Sequence, residues 1–160
     1  MFVNVTLFNS EVWHNVIAGD ISRVEKVDVY FLCKILGSHI KCPTEMLYLE
    51  TGVLSLRFII AGRRISYLHT LLKRDNTELT KQILMAHSNN PCKGDFIELV
   101  QADAQQIGVS CNFEDLVKLS KNVLKRTVKE KVREAAFKYL LEIKSTHSKV
   151  AHINYKNLAA

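Results

Sequence analysis

Residues 54–75, LSLRFIIAGRRISYLHTLLKRD, repeat apolar side chains at intervals of three and four. At about 100° per residue, Phe58, Ala61, Ile65, Leu68 and Leu72 fall in one stripe, which Ile60, Tyr67 and Leu71 widen. Arg63, Ser66, Thr70, Lys73 and Arg74 gather opposite and predict a solvated face. A half-buried strand alternates its side chains, so this period demands a helix with neighbours to cover its stripe. The whole chain follows suit. It has 2 prolines and 6 glycines in 160 residues, too few for the turns of a many-stranded protein. The length suffices for one domain with its own core.

Two residues break the stripe. Arg57 and Arg64 lie one heptad apart near the middle of the apolar arc. A buried guanidinium requires a carboxylate or carbonyl partner, because an uncompensated interior charge costs several kcal/mol. Asp28 is the matching oddity, an acid inside an apolar stripe, and Glu50, Glu45 and Glu11 are further candidates. The expected arrangement is a structural ion-pair network of Asp28, Glu50, Arg57 and Arg64. The other reading holds the arginines at a groove for a phosphate, a use to which arginine is equally suited.

Cap and stop signals mark out an all-α fold: a single helical domain of six to seven helices over residues 1–144, with residues 145–160 as a flexible tail. Asp20 or Ser22 caps ISRVEKVDVYFLCKIL, with Val24, Val27, Phe31 and Ile35 as its stripe and Gly37 at its end. Thr44 caps a short helix that Gly52 stops. NTELTKQILMAHSNNP starts at an Asn or Thr cap. GDFIELVQADAQQIG lies between an Asp cap and Gly108, and Asn112 caps CNFEDLVKLS. The longest helix runs from about Asn122 to Lys144 on the stripe Leu124, Val128, Val132, Ala135, Tyr139 and Ile143. MFVNVTLF reads as a strand, which would be an orphan in such a fold.

Charge is unevenly placed. The net charge is +6, yet from Lys118 onward eleven basic residues face three acids, Glu130, Glu134 and Glu142. A one-sided basic segment suits a polyanionic partner, against the plain alternative of a solvated helix face. Arg126, Lys129, Arg133 and Lys144 share one flank of the long helix, and Lys121 and Lys125 add to it. Tyr67 and His69 are aromatic enough to stack on bases but read better as packing residues.

Chemistry-bearing motifs are missing. No GxSxG, P-loop, HExxH or GxGxxG occurs, nor an adjacent Asp pair. Asp95, Glu98 and Asp103 form the nearest carboxylate cluster, but their spacing does not put all three on one helix face. His147 beside Ser148 lacks an orienting third group. Cys33, Cys42, Cys92 and Cys111 match no zinc pattern; they read as reduced thiols of an intracellular protein rather than, with Cys33, His39 and Cys42, a structural zinc site. No cofactor is implied, no apolar run spans a membrane, and the first residues do not resemble a signal peptide.

The blocks NSEVWH, VEKVDVYFLCKILG, CPTEMLYLETGVLSLRFIIAGRRISYLHTLL, NPCKGDFIELVQAD and THSKV occur in this order. Over about residues 9 to 155 the chain resembles the C-terminal part of the polyprotein of non-LTR (LINE-type) retrotransposons, in the region after the reverse transcriptase fingers and palm. It departs from that pattern at Asn9, where the family often has Gly, and at Ser55, where it often has Pro. The resemblance implies a thumb-and-linker segment that grips template and primer without carrying the polymerase aspartates. The expected function is therefore a non-catalytic, retroelement-derived module binding RNA or an RNA–DNA hybrid at low specificity through Lys121, Lys125, Arg126, Lys129, Arg133 and Lys144. The alternatives are a protein-interaction module, meeting a reverse transcriptase palm or a second copy through MFVNVTLF and Trp13, or a retroelement remnant without function.

Overall fold

The helix that opens the sequence argument is the hub of the molecule. A computed structural model describes residues 7–13, 18–38, 42–90 and 92–146. These form a short 3-10 turn (Ser10–Val12) and seven α-helices: α1 Ala18–Leu36, α2 Thr44–Thr51, α3 Leu56–Leu72, α4 Leu79–Asn89, α5 Phe96–Ile107, α6 Phe113–Lys118 and α7 Lys121–Thr146. No strand occurs among the described residues. Leu7 and Phe8 lie in a turn, and the rest of the expected N-terminal strand falls outside the described residues. So does the tail from residue 147, with His147 and Ser148.

Contacts from α3 reach α7, α5, α4, α6, α1 and the 3-10 turn. Its expected stripe is buried throughout: Phe58, Ala61, Ile65, Leu68 and Leu72 join the main core with Val100, Ala104 and Ile107 of α5, Leu116 of α6 and Leu124, Val128, Val132 and Ala136 of α7. The expected solvated face is not uniformly so. Arg63 and Ser66 are half-buried, and only Thr70, Lys73 and Arg74 are exposed. The reason is the N-terminal turn, whose Leu7 packs with Leu56 and Ile60 in a second cluster. Its Leu7 carbonyl and Ser10 hydroxyl accept hydrogen bonds from Arg63 Nη1.

Several punctuation marks act as their chemistry predicts. Asp95 and Asn112 accept hydrogen bonds from the Glu98 and Glu114 amides, at 2.8 and 3.0 Å, and so cap α5 and α6. Gly52 and Gly108 take the left-handed conformation that ends α2 and α5. Three starts differ. Helix α1 begins at Ala18, so Asp20 and Ser22 lie inside it. Helix α2 takes Pro43 as its N-cap and begins at Thr44. Helix α4 begins only at Leu79, because Asp75 Oδ1 accepts from both the amide (2.9 Å) and the hydroxyl (2.8 Å) of Thr77 and holds that segment in a turn.

Most of the stripe expected on α1 is turned away from the core, although Val24 packs against the Leu7–Leu56–Ile60 cluster. Phe31, Val27 and Ile35 are exposed, whereas Asp28, Leu32 and Cys33 are buried. Leu32 and Cys33 pack with Leu47 and Tyr48 of α2 in a third cluster. Asp28 therefore lies in the covered face of α1 rather than beside it.

Candidate functional site

Arg64 is buried and paired, but not with Asp28. Its Nη1 donates to Asp103 Oδ2 at 3.0 Å and its Nη2 to the Trp13 carbonyl at 2.7 Å. The guanidinium thereby ties α3 to α5 and to the N-terminal turn. Burial pushes the Asp103 carboxyl above its ordinary range, and the Arg64 hydrogen bond and charge pull it back. The half-buried thiol of Cys111, near Asp103, is pushed up to about 11, first by burial and then by that carboxylate.

Arg57 finds a different partner. Its guanidinium carbon sits 4.0 Å from the Tyr139 ring centroid and 5.5 Å from that of Phe58, an arrangement in which the cation is held by aromatic faces. Asp28 and Arg57 both lie near Tyr48, yet neither makes an ion pair among the described residues. Asp28 Oδ2, Tyr48 Oη and Arg57 Nε are buried without a hydrogen-bond partner. The Asp28 carboxyl is raised by burial and by the neighbouring charge of Glu25. Glu50 is exposed and joins no ion pair among the described residues. The expected four-residue network is thus divided into an Arg64–Asp103 pair, which involves a residue assigned elsewhere from sequence, and an Asp28–Tyr48–Arg57 neighbourhood.

The carboxylate cluster dissolves into structural roles. Asp95 caps α5, Glu98 accepts from the Gly94 amide, and Asp103 holds Arg64. Among the described residues no group of three or more His, Cys, Asp or Glu side chains is placed to hold a metal ion. Cys33 is buried and Cys42 half-buried, His39 lies outside the described residues, and the thiols form no disulfide. His69 is buried with its Nε2 3.1 Å from the Leu119 carbonyl, so it packs rather than stacks on a ligand.

The cations of α7 are sorted by side. Ser120 Oγ accepts from the Val123 amide at the start of a helix that then runs 26 residues without Gly or Pro. At about 100° per residue, Lys125, Lys129, Arg133 and Arg126 occupy one arc next to the buried Leu124–Val128–Val132–Ala136 stripe, and no acid of α7 falls within it. Lys121, Lys125, Lys129 and Arg133 are exposed and join no ion pair among the described residues. Arg126, at the far edge, meets Glu130 at 3.1 Å. On the other flank Lys131 pairs with Glu134 (2.7 Å) and Lys138 with Glu142 (4.0 Å). Lys144 is within the helix, and its side chain lies outside the described residues.

Beside this arc a groove of about 590 Å³ lies between α3 and α7. Phe58 and Val132 supply its apolar floor, Ser66 and Tyr67 one side, and Lys125, Lys129, Arg63 and Glu11 its rim. Gly62 brings the two helices together: a Cβ there would sit 3.0 Å from Val132 Cγ2 and 3.3 Å from Val128 Cγ1. Ser66 and Thr70 donate to the Gly62 and Ser66 carbonyls, 2.9 and 3.0 Å, folding their hydroxyls against α3. The groove was not legible from the sequence, because its walls come from segments some sixty residues apart.

Comparison with models of known protein families, with curated proteins and with solved structures returns no match. No helix among the described residues is long and apolar enough to cross a membrane.

Proposed function

We propose that the chain is a non-catalytic helical module that binds RNA or an RNA–DNA hybrid through one flank of α7. The observation that carries this reading is the sorting of charge on α7: Lys121, Lys125, Lys129 and Arg133 face solvent without ion pairs among the described residues, while Arg126, Lys131 and Lys138 have carboxylate neighbours. Cations without ion-pair partners along a rigid helix neutralise phosphates and release counterions, which is the dominant sequence-independent term in nucleic-acid affinity. The resemblance to LINE-type thumb and linker segments points the same way. Its two departures fall where either residue type fits. Asn9 holds a left-handed φ of 54°, which Gly adopts freely and Asn tolerates. Ser55 has a φ of −55°, close to the value proline imposes.

The test is a salt titration of a labelled RNA strand and of an RNA–DNA hybrid. Four phosphate contacts give a slope of log K against log salt of about −3 to −4, at roughly 0.7–0.9 per phosphate. Changing Lys129→Glu and Arg133→Glu together flattens the slope by about 1.4 to 1.8 units, and affinity falls alike for unrelated sequences, because phosphate contacts position without specifying. Absence of binding by the wild type at low salt, or equal binding by the reversal, overturns the reading. Incubation with primer, template, Mg²⁺ and nucleotides is expected to extend nothing.

A second reading, a protein-interaction module, has one observation of its own. The outward face of α1 presents Val27, Tyr30, Phe31 and Ile35, with Ile35 77% exposed. Of the N-terminal segment expected to carry an apolar surface, Trp13 is half-buried against the Leu7–Leu56–Ile60 cluster, while Phe8 and Val12 beside it are exposed. Concentration-dependent self-association that Ile35→Glu abolishes, without nucleic-acid binding, places this reading first.

A further inference from the structure

We propose that the groove between α3 and α7 receives an unpaired base of a single strand whose adjacent phosphates lie on Lys125 and Lys129, so that the module prefers single strands to duplex. This rests on the nucleic-acid reading above and sharpens it to a strand type. Three features of the groove carry it. First, a volume of about 590 Å³ falls within the roughly 300–1,000 Å³ typical of small-ligand sites, whereas a solvated helix flank needs no concavity at all. Second, its floor is apolar and one side is aromatic. Tyr67 is held by an edge-to-face contact with Phe96, centroids 5.9 Å apart at 83°, so its ring is fixed in place before any ligand arrives. Aromatic surface fixed next to a cationic track is how single strands are held without sequence preference, since every base has a π face.

Third, the charges around the groove are arranged for a strand lying in one direction. Lys125 and Lys129 stand on the α7 rim, and Glu11 stands among the lining residues contributed by the N-terminal turn. Glu11 and Arg63 together carry no net charge, whereas Lys125 and Lys129 carry two positive charges on the α7 rim, so a phosphate backbone is drawn along α7 and the base turns inward. At that side a carboxylate is an acceptor for the imino or amino N–H of a base edge. Arg63, also at the rim, is bonded to the Leu7 carbonyl and so steadies the turn that carries Glu11. A paired base presents neither its Watson–Crick edge nor its faces to such a groove.

The experiment compares, by anisotropy at low salt, an ordinary labelled single strand, a strand of equal length made of abasic units, and a blunt duplex. The abasic strand keeps every phosphate and loses every base. Wild type is expected to bind it at least about tenfold more weakly than the ordinary strand, and the duplex also more weakly. Ser66→Leu, which fills the groove with an aliphatic side chain, and Thr70→Leu, at an exposed rim position, offer no ring to a base and are expected to bring ordinary-strand affinity down to the abasic level and to leave the abasic strand unaffected. Equal affinity of wild type for the ordinary and abasic strands overturns the base site while leaving the basic flank standing, and so does duplex bound as tightly as single strand. Failure to bind any of the three overturns both readings at once.

Discussion

Arg64 and Asp28 show opposite solutions to a charge inside the protein. Arg64 spends two nitrogens on two different elements, Asp103 on α5 and the Trp13 carbonyl, and is left with only Nε unsatisfied. Removing it strands a largely buried carboxylate, 16% exposed, so Arg64→Leu is expected to cost about 3–5 kcal/mol near pH 7. Arg64→Lys is expected to cost about 1–3 kcal/mol, because one ammonium cannot reproduce a fork that serves two acceptors. Asp103 already has a raised pKa, and loss of Arg64 raises it further. A raised carboxyl contributes stability below its unfolded value that is lost as pH rises through the folded value. The penalty of Arg64→Leu should therefore shrink between neutral and acidic pH, as Asp103 takes up its proton. Urea midpoints at both pH values measure this, and a pH-independent penalty would show that Asp103 is not the stranded group. Asp28 has a buried oxygen without a partner and a carboxyl raised by burial and by Glu25. By the same sign rule its charge weakens the fold above its raised value. Asp28→Asn is expected to raise the neutral-pH midpoint by an amount equivalent to about 1–3 kcal/mol and to lose that advantage in acid.

At the level of elements, the contact between α3 and α7 depends on Gly62, where the space beyond Cα is taken by Val132 and Val128. Gly62→Val overfills that contact and is expected to destabilise by about 1–3 kcal/mol, despite the better helix propensity of most residues over glycine. Adding Val132→Ala should recover part of the loss in a double-mutant cycle; additive losses would mean that the strain lies elsewhere. The two helices were the most legible parts of the sequence, because each carries one apolar stripe that repeats through several turns. Helix α1 was legible as a helix and misread in orientation. It has apolar residues on two sides, Ile21, Val24, Leu32 and Cys33 against Val27, Tyr30, Phe31 and Ile35, so periodicity alone did not say which side is covered. The covered face is rotated by about a quarter turn from the expected one, and it includes Asp28. Partners across the fold were the least legible. Asp103 offered no sign in its own neighbourhood that it meets Arg64, and Arg57 was assigned a carboxylate when aromatic faces hold it. The basic flank of α7 could be drawn from the wheel, but the split between its paired and unpaired cations required the positions of Glu130, Glu134 and Glu142 in space.

For the whole molecule, the question is whether net charge or its placement governs contact with a polyanion. The surplus of basic residues after Lys118 would attract any polyanion in proportion to net charge, wherever the lysines stood. The structure places two pairs of cations on one helix in different surroundings. Lys129 and Arg133 have no ion-pair partner among the described residues and belong to the acid-free arc, with Lys129 also at the groove. Lys131 and Lys138 stand on the other flank beside Glu134 and Glu142. Replacing either pair by Glu changes net charge by the same four units and leaves the apolar stripe untouched. Surface pairs of this kind are worth only about 0–1 kcal/mol to stability, so both variants are expected to fold. Long-range attraction, which depends on net charge and weakens beyond a Debye length of about 8–10 Å, falls similarly in both. Direct neutralisation of phosphates falls in only one. The salt slope for single-stranded RNA should therefore flatten by about 1.4 units in Lys129→Glu/Arg133→Glu and stay close to wild type in Lys131→Glu/Lys138→Glu. Equal flattening in the two variants would mean that the chain answers to its overall charge alone and that α7 has no dedicated face; the apolar side of α1 would then be the more informative surface on which to look for a partner.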